Sequence, residues 1–284
     1  MFNQSDLVAL APNLFVLRRQ IDVDVPEVSY PKEFFENNYA NLSNFWIERR
    51  NRNIERTLRK LHKSALLEIG SGHGAVAQYL HNRGFAIQCV EPQIEGAIQT
   101  ARCGIRTLLT TTPTDFFRSK SQEVIGIFDV LEHIESEENF LKMICDLLSP
   151  TGFLIVTVPS GNWLFSQTDI ALGHQRRYSR KRLRDVMSKA GFEEVDSRYL
   201  FLLLVPFAFV FRAIPYRLKI GRNSHKQLEK ISDVLDSKTI ASRIVGYLSR
   251  IEEKFDQCRL IPYGLSIYSV YRPKDSGLIE DDIS

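Results

Sequence analysis

The segment that most constrains this chain is Leu66-Leu67-Glu68-Ile69-Gly70-Ser71-Gly72-His73-Gly74, a short apolar run that breaks into three alternating glycines. Such a run reads as a buried strand, and glycines at its end let the backbone turn and approach a ligand closely, because no Cβ intervenes. A helix is expected next, from about Gly74 to Arg83. Glu68 stands two residues before the first glycine, where a carboxylate can meet a cationic amino-acid group. Glu91 closes the following strand, where a carboxylate can accept both hydrogen bonds of a ribose diol. The loop by itself also suits a dinucleotide-binding oxidoreductase, since Ala75 satisfies the looser form of that fingerprint.

The alternation continues beyond the loop. Strands are expected at Phe85–Val90, Ile105–Leu109, Val124–Phe128, Phe153–Val158, from Phe192 onward, and at Leu265–Tyr271. Helices are expected up to Arg102, near Glu137–Leu148 and over Arg180–Ala190. This pattern predicts an α/β protein, a Rossmann-like doubly wound sheet of about seven strands with helices on both faces. Before it, residues 1–62 read as a helical lead-in: irregular or short helices at first, then an amphipathic helix over Asn44–Leu61. The core spans 63–200. A helical insertion follows over 201–258, striped by Leu228, Ile231, Leu235, Ile244, Leu248, Ile251 and Phe255. Residues 259–284 bring the last strand and an acidic tail, Glu280-Asp281-Asp282, expected to fray.

These motifs resemble the class I S-adenosylmethionine (SAM) dependent methyltransferase family. The strand ending in an acid, the Gly-x-Gly-x-Gly loop and the acid closing the next strand are its first two motifs. Phe128-Asp129-Val130-Leu131-Glu132-His133-Ile134 looks like its fourth-strand motif, and Leu148-Ser149-Pro150-Thr151-Gly152 is similar to the turn before its fifth strand. The resemblance covers about Ser64 to Val158 well and Tyr178 to Phe192 moderately. It implies SAM as cofactor, held by Glu68, Gly70, Gly72, Gly74, Glu91 and Phe128. The branch with the nearest look is the O-methyltransferases of ubiquinone biosynthesis, which act on small or lipid-linked molecules.

The acceptor side is expected after the fourth and fifth strands. Asp129, Glu132 and His133 stand at i, i+3 and i+4, so a helical turn there would put all three on one side. They would serve as local hydrogen-bonding groups, as a metal set, or with His133 as a general base. No metal is assigned. The stretch Gly173-His174-Gln175-Arg176-Arg177-Tyr178 offers an imidazole, two guanidinium forks and a phenol. His174 is a second candidate base, and Arg176, Arg177 and Tyr178 are candidate substrate contacts. On the preceding basic helix, Arg49 or Arg52 is placed to meet the cofactor carboxylate.

Composition narrows the partners. A net charge of +3 over 284 residues is too small to imply nucleic acid. No Asn/Asp-Pro-Pro-Tyr motif follows the fourth strand, which argues against methylation of DNA or glutamine. The four cysteines are scattered, which fits a reducing, cytoplasmic compartment. Tyr199–Phe211 is apolar but too short to span a bilayer, which takes about 20 residues. Burial is expected for Tyr199–Leu203. The stretch 204–222, with Arg212, Arg217, Lys219 and Arg222, is a candidate peripheral contact to the inner face of a membrane. The expected function is methyl transfer from SAM to a small-molecule, glycan or lipid-linked acceptor at oxygen. The rivals are an NAD-dependent oxidoreductase and a catalytically inactive partner protein of the same fold.

Overall fold

The computed structural model describes residues 7–17, 45–219, 240–254 and 262–274. The strands among them are β1 (Leu7–Ala11), β2 (Leu14–Leu17), β3 (Ala65–Ile69), β4 (Ala86–Glu91), β5 (Arg106–Leu109), β6 (Gln122–Phe128), β7 (Leu148–Pro159), β8 (Phe192–Leu200) and β9 (Ser266–Pro273). They form one sheet in the order β1-β2-β5-β4-β3-β6-β7-β9-β8. From β5 to β7 the neighbours are parallel, while β9 lies antiparallel between β7 and β8. The chain moves outward from β3 in one direction through β4 and β5, then returns to β6 on its other side. The β3/β6 border is therefore the switch point, and ligands in such sheets bind beyond the carboxyl ends of the strands there.

The helices are α1 (Phe45–Lys60), α2 (Ala75–His81), α3 (Ile94–Arg102), α4 (Glu137–Leu147), α5 (Gln167–Ala171), α6 (Arg180–Lys189), α7 (Val205–Ala208), α8 (Ile214–Arg217) and α9 (Ile240–Glu253). Alternation along β3 decides which helix covers which face. Leu67 and Ile69 join Ile125, Ile127, Leu154 and Val156 under Leu141, Ile144 and Leu147 of α4 and Leu183 and Met187 of α6. Leu66 faces the other way with Val124, Phe153 and Ile155, under Ile54 and Leu58 of α1 and Val76 and Leu80 of α2. Glu68 shares that second face, so its carboxyl lies beneath α1 and α2.

Nine strands stand where about seven are expected, and the difference is the N-terminal hairpin β1–β2. The helical lead-in is corrected accordingly. Leu7-Val8-Ala9-Leu10-Ala11 and Leu14-Phe15-Val16-Leu17 flank Pro12-Asn13, with Asn13 at φ 63°, a left-handed turn position that asparagine tolerates. Leu14 and Val16 pack against Ala97 and Ala101 of α3. α1 matches the expected amphipathic helix.

The insertion is strapped back onto α1. Arg49, Arg52 and Arg56 lie along one face of α1 and reach Glu252 at 3.0 Å and Glu253 at 2.9 and 2.7 Å on α9. Glu252 also accepts from the backbone N–H groups of Leu202 and Leu203, at 2.8 and 3.1 Å. Trp46 stacks on Phe201 with ring centres 3.9 Å apart. Burial of the Tyr199–Leu203 stretch is mixed: Leu200 and Phe201 are buried, and Leu203 is exposed. Leu228, Ile231, Leu235, Phe255, Cys258, the acidic tail and the side chain of Ile244 lie outside the described residues. Among the described residues no helix is long and apolar enough to cross a membrane.

Candidate functional site

The glycine loop leaves β3 through Gly70, Gly72 and Gly74, all at positive φ (77°, 53° and 75°). At Gly74 a Cβ would stand 2.9 Å from Thr100 Oγ1 and 3.2 Å from its Cα, so close packing on α3 demands glycine there. At Gly72 a Cβ would meet nothing within 4 Å, so the glycine keeps open the approach to the cleft. The loop is fixed from β4. Glu91, buried, accepts from Gly72 N at 2.7 Å and from Gln93 N at 3.0 Å. An ionised carboxylate offers about four lone-pair directions, so two remain for a diol.

Glu68 is buried beside Cys89, whose thiol is 4.0 Å from its Oε2. Burial pushes the Glu68 carboxyl up to about 8; Arg50 pulls it back and Glu91 adds to the rise. Burial likewise raises Glu91 to about 7, against the pull of the Gln93 and Gly72 amides. A buried acid with so little donor support fits a cationic ligand group, which would recover its ionised form. Two such acids, an open glycine loop and an arginine beside them fit a ligand that joins an aminoacyl end to a ribose. In the free protein both acids hold protons that the unfolded chain releases at lower pH. Stability should therefore fall as pH rises from about 5 to 8. Thermal melts across that window test this, and Glu68→Gln should flatten the slope; an unchanged slope contradicts it.

The arginine at this cleft is Arg50. It reaches Asp129 Oδ2 at 2.6 Å and is near enough to Glu68 for its charge to act there. This corrects the expectation for Arg49 and Arg52, which one face of α1 commits to α9. Asp129 takes φ 56° at the end of β6 and accepts from Thr157 Oγ1 at 3.1 Å. Its carboxylate pairs with Arg50, while Glu132 and His133 lie in the following turn Leu131–His133, near enough for the Asp129 charge to act on Glu132. Phe128 turns its ring over Gly126 and into the core, which leaves its backbone for any contact at the cleft.

Glu132 and His133, after β6, and His174, after β7, come together, each with a ligating atom within 4.8 Å of the others. A carboxylate and two imidazoles are chemically a divalent-metal donor set. Glu132 is fully buried, and neither of its carboxylate oxygens has a hydrogen-bond partner among the described residues. Burial, with Asp129 adding, pushes it well above its ordinary value. His133 is pushed down to about 3 by burial and by His174. That makes His133 a weak base. His174 is held differently: its Nδ1 lies 2.9 Å from Asp169 Oδ1, and its Nε2 lies 3.9 Å from Glu132 Oε1.

Asp169 lies outside the expected site residues, and its local signal in the sequence is the helix-capping box Ser166-x-x-Asp169. Besides Ser166 and His174, it takes both arms of Arg177, Nε at 2.8 Å and Nη2 at 3.1 Å. Burial works against its charge, but the bonds and charges of His174 and Arg177 outweigh that and hold it well below the usual carboxylate range. Asp169 is thus an acceptor only, which puts the proton of His174 on Nδ1 and leaves Nε2 as the basic nitrogen.

Arg176, Arg177 and Tyr178, expected as substrate contacts, are placed as internal ties. Arg177 also donates to Ser160 O at 3.2 Å. Arg176 donates to Ile134 O at 2.6 Å and pairs with Glu137 at 2.9 Å. Tyr178 is fully buried, its hydroxyl 2.9 Å from Glu137 Oε1 and 3.2 Å from Leu131 O. Tyr178→Phe should therefore cost about 1–2 kcal/mol of stability in a denaturant melt and leave cofactor affinity unchanged.

A glycine loop at the switch point of a doubly wound sheet, with acids on two adjacent strands, defines a Rossmann-like protein for a ribose-bearing aminoacyl cofactor. Residues 40–197, more than half of the chain, match a methyltransferase domain family, and the chain belongs to it. The ubiquinone biosynthesis O-methyltransferase of Rickettsia canadensis is 28% identical over 102 residues, 34% of this chain and 43% of that protein. The chain thus spans less than half the length of the curated relatives it matches. Among solved structures, a putative sarcosine dimethylglycine methyltransferase from Galdieria sulphuraria is 14% identical, with a TM-score of 0.53 over 80% of this chain and 86% of that one. A protein of Pyrococcus horikoshii is 12% identical, with a TM-score of 0.53 over 86% and 100%. At such identities the likeness is one of fold.

Proposed function

We propose that the protein transfers a methyl group from SAM to an oxygen of a small-molecule, glycan or lipid-linked acceptor, with His174 as general base. The observation that carries the base is the His174–Asp169 pair at 2.9 Å, on the segment that leaves the carboxyl end of β7. Membership of the methyltransferase family speaks against the oxidoreductase and inactive readings.

In this reading Glu68 takes the ammonium group of the cofactor, Glu91 its ribose diol, and Arg50 its carboxylate. The backbone of Gly70, Gly72, Gly74 and Phe128 lines the approach. The cofactor supplies a methyl group on a sulfonium, already a good leaving group, so the chain contributes alignment and a base. Nε2 of His174 accepts the hydroxyl proton, and Asp169 stabilises the imidazolium that results. Leu203, Phe207, Val210 and Leu218 are exposed beside Arg217 and Lys219 on the stretch that follows β8. This supports an acceptor carried at or near a membrane surface, through 204–222.

The test is incubation with methyl-labelled SAM and an extract of cells that lack the protein, with products located by mass spectrometry. Label on an oxygen, lost with His174→Ala, is expected. Label on nitrogen or carbon contradicts the assignment.

A further inference from the structure

Three consecutive side chains of α1 meet three different parts of the fold. Arg49 is fully buried and reaches Glu252 Oε1 on α9 at 3.0 Å and Ser249 Oγ at 3.4 Å. Arg50 reaches Asp129 Oδ2 at 2.6 Å. Asn51 donates to the carbonyl of Ala75, the first residue of α2, at 3.1 Å. Successive side chains of a helix point about 100° apart, so where Arg49 is held decides where Arg50 points. Arg50 points to the glycine loop. Val130, next to its partner Asp129, packs so closely on Gly70 that a Cβ there would stand 2.6 Å from Val130 Cγ2.

The C-terminal half of α1 is fixed by the core, where Ile54 and Leu58 are fully buried and Tyr268 donates to Thr57 Oγ1 at 2.6 Å. The half that carries Arg50 leans on α9 and on the residues after β8. Trp46 stacks on Phe201, Phe45 meets the same ring edge-on at 6.2 Å, and the Arg49 guanidinium lies 4.8 Å from its centre. Phe201 takes φ 65°, a conformation that costs a bulky residue free energy unless its surroundings impose it. Glu252, itself buried, helps impose it. The Oε1 that takes Arg49 also accepts from Leu202 N at 2.8 Å, and Oε2 accepts from Leu203 N at 3.1 Å. One carboxylate thus joins α1, the turn after β8 and α9.

We propose that Glu252 is a positioning residue for the cofactor. By holding Arg49 it sets the turn of α1 that brings Arg50 to the cleft. By holding the backbone of Leu202 and Leu203 it makes that setting depend on the insertion being docked on α1. This rests on Arg50 as the partner of the cofactor carboxylate in the methyltransferase reading, and adds what places it there. The cofactor site is then complete only when a residue two hundred positions along the chain is in place.

The test measures S-adenosylhomocysteine binding to the full chain by calorimetry in the parent, Glu252→Gln, Arg50→Gln and the double variant. Glu252→Gln is expected to weaken binding about tenfold when Arg50 is present and less than about twofold when it is already replaced, because residues that act through one another do not add. The melting temperature should fall by the same amount in both backgrounds, which reads the structural part separately. Removing one partner of a buried pair is costly to the fold, so Arg49→Lys serves as the milder second variant. It keeps the charge, gives up the fork, and should weaken binding less, again only where Arg50 is present. Equal losses of affinity in the two backgrounds, or unchanged affinity in Glu252→Gln and Arg49→Lys, overturn the proposal and leave the cofactor reading standing. No binding of S-adenosylhomocysteine by the parent overturns both.

Discussion

Replacing Glu91 with alanine is expected to weaken SAM and S-adenosylhomocysteine binding by at least tenfold, and by about a hundredfold if both ribose hydrogen bonds are lost. Each hydrogen bond to an ionised carboxylate is worth about 1.5–3 kcal/mol. Glu91 does two things at once. Its oxygens fix Gly72 and Gln93, and so hold the glycine loop against α3 through Thr100, whose hydroxyl donates to Gly72 O at 3.2 Å. The loss should therefore appear both in affinity and as a lower melting temperature of the free protein. Calorimetry and melts on the same samples separate the two. An unchanged dissociation constant removes Glu91 from the cofactor site.

His174→Ala is expected to lower turnover by about 10²- to 10⁴-fold, the usual span for loss of a general base, with cofactor affinity unchanged. His174 is the sharper test than Asp169. Asp169→Asn would also break the buried pair with Arg177, and removing one partner of such a pair costs about 3–5 kcal/mol of stability, which would confuse folding with chemistry. His133→Ala should cost far less turnover, because an imidazole pushed down to about 3 is too weak a base for a hydroxyl proton. Equal losses at the two histidines would argue that they act together, as metal ligands, rather than as one base and its neighbour.

What the sequence made legible follows the range of each signal. The β3–glycine–α2 unit is local: apolar run, glycines and helix period all lie within twenty-odd residues of Ala65. Glu91 is found by counting from it. The position of β9 between β7 and β8 depends on pairing across the sheet, which no local pattern encodes. The hairpin β1–β2 was hidden because its residues form one continuous apolar stretch with no period, and only Pro12-Asn13 marks the turn.

The same limit governs the site. α1 carries Arg49, Arg50, Arg52, Arg56 and Arg59, and its composition does not say which faces the cleft. The phase is set by Glu252 and Glu253, some two hundred residues away. In the His174–Tyr178 segment, residue type names a fork and a phenol without saying whether a ligand or a carbonyl receives them. Asp169 had a local signal in its capping box.

The central claim, a SAM site built on Glu68, the glycine loop and Glu91, is tested most directly by titrating the purified chain with S-adenosylhomocysteine and with NADH in parallel. Saturable one-to-one heat with S-adenosylhomocysteine, weakened in Glu91→Ala, and none with NADH is the expected result. Binding of NADH, with no heat from S-adenosylhomocysteine or SAM, would contradict the account.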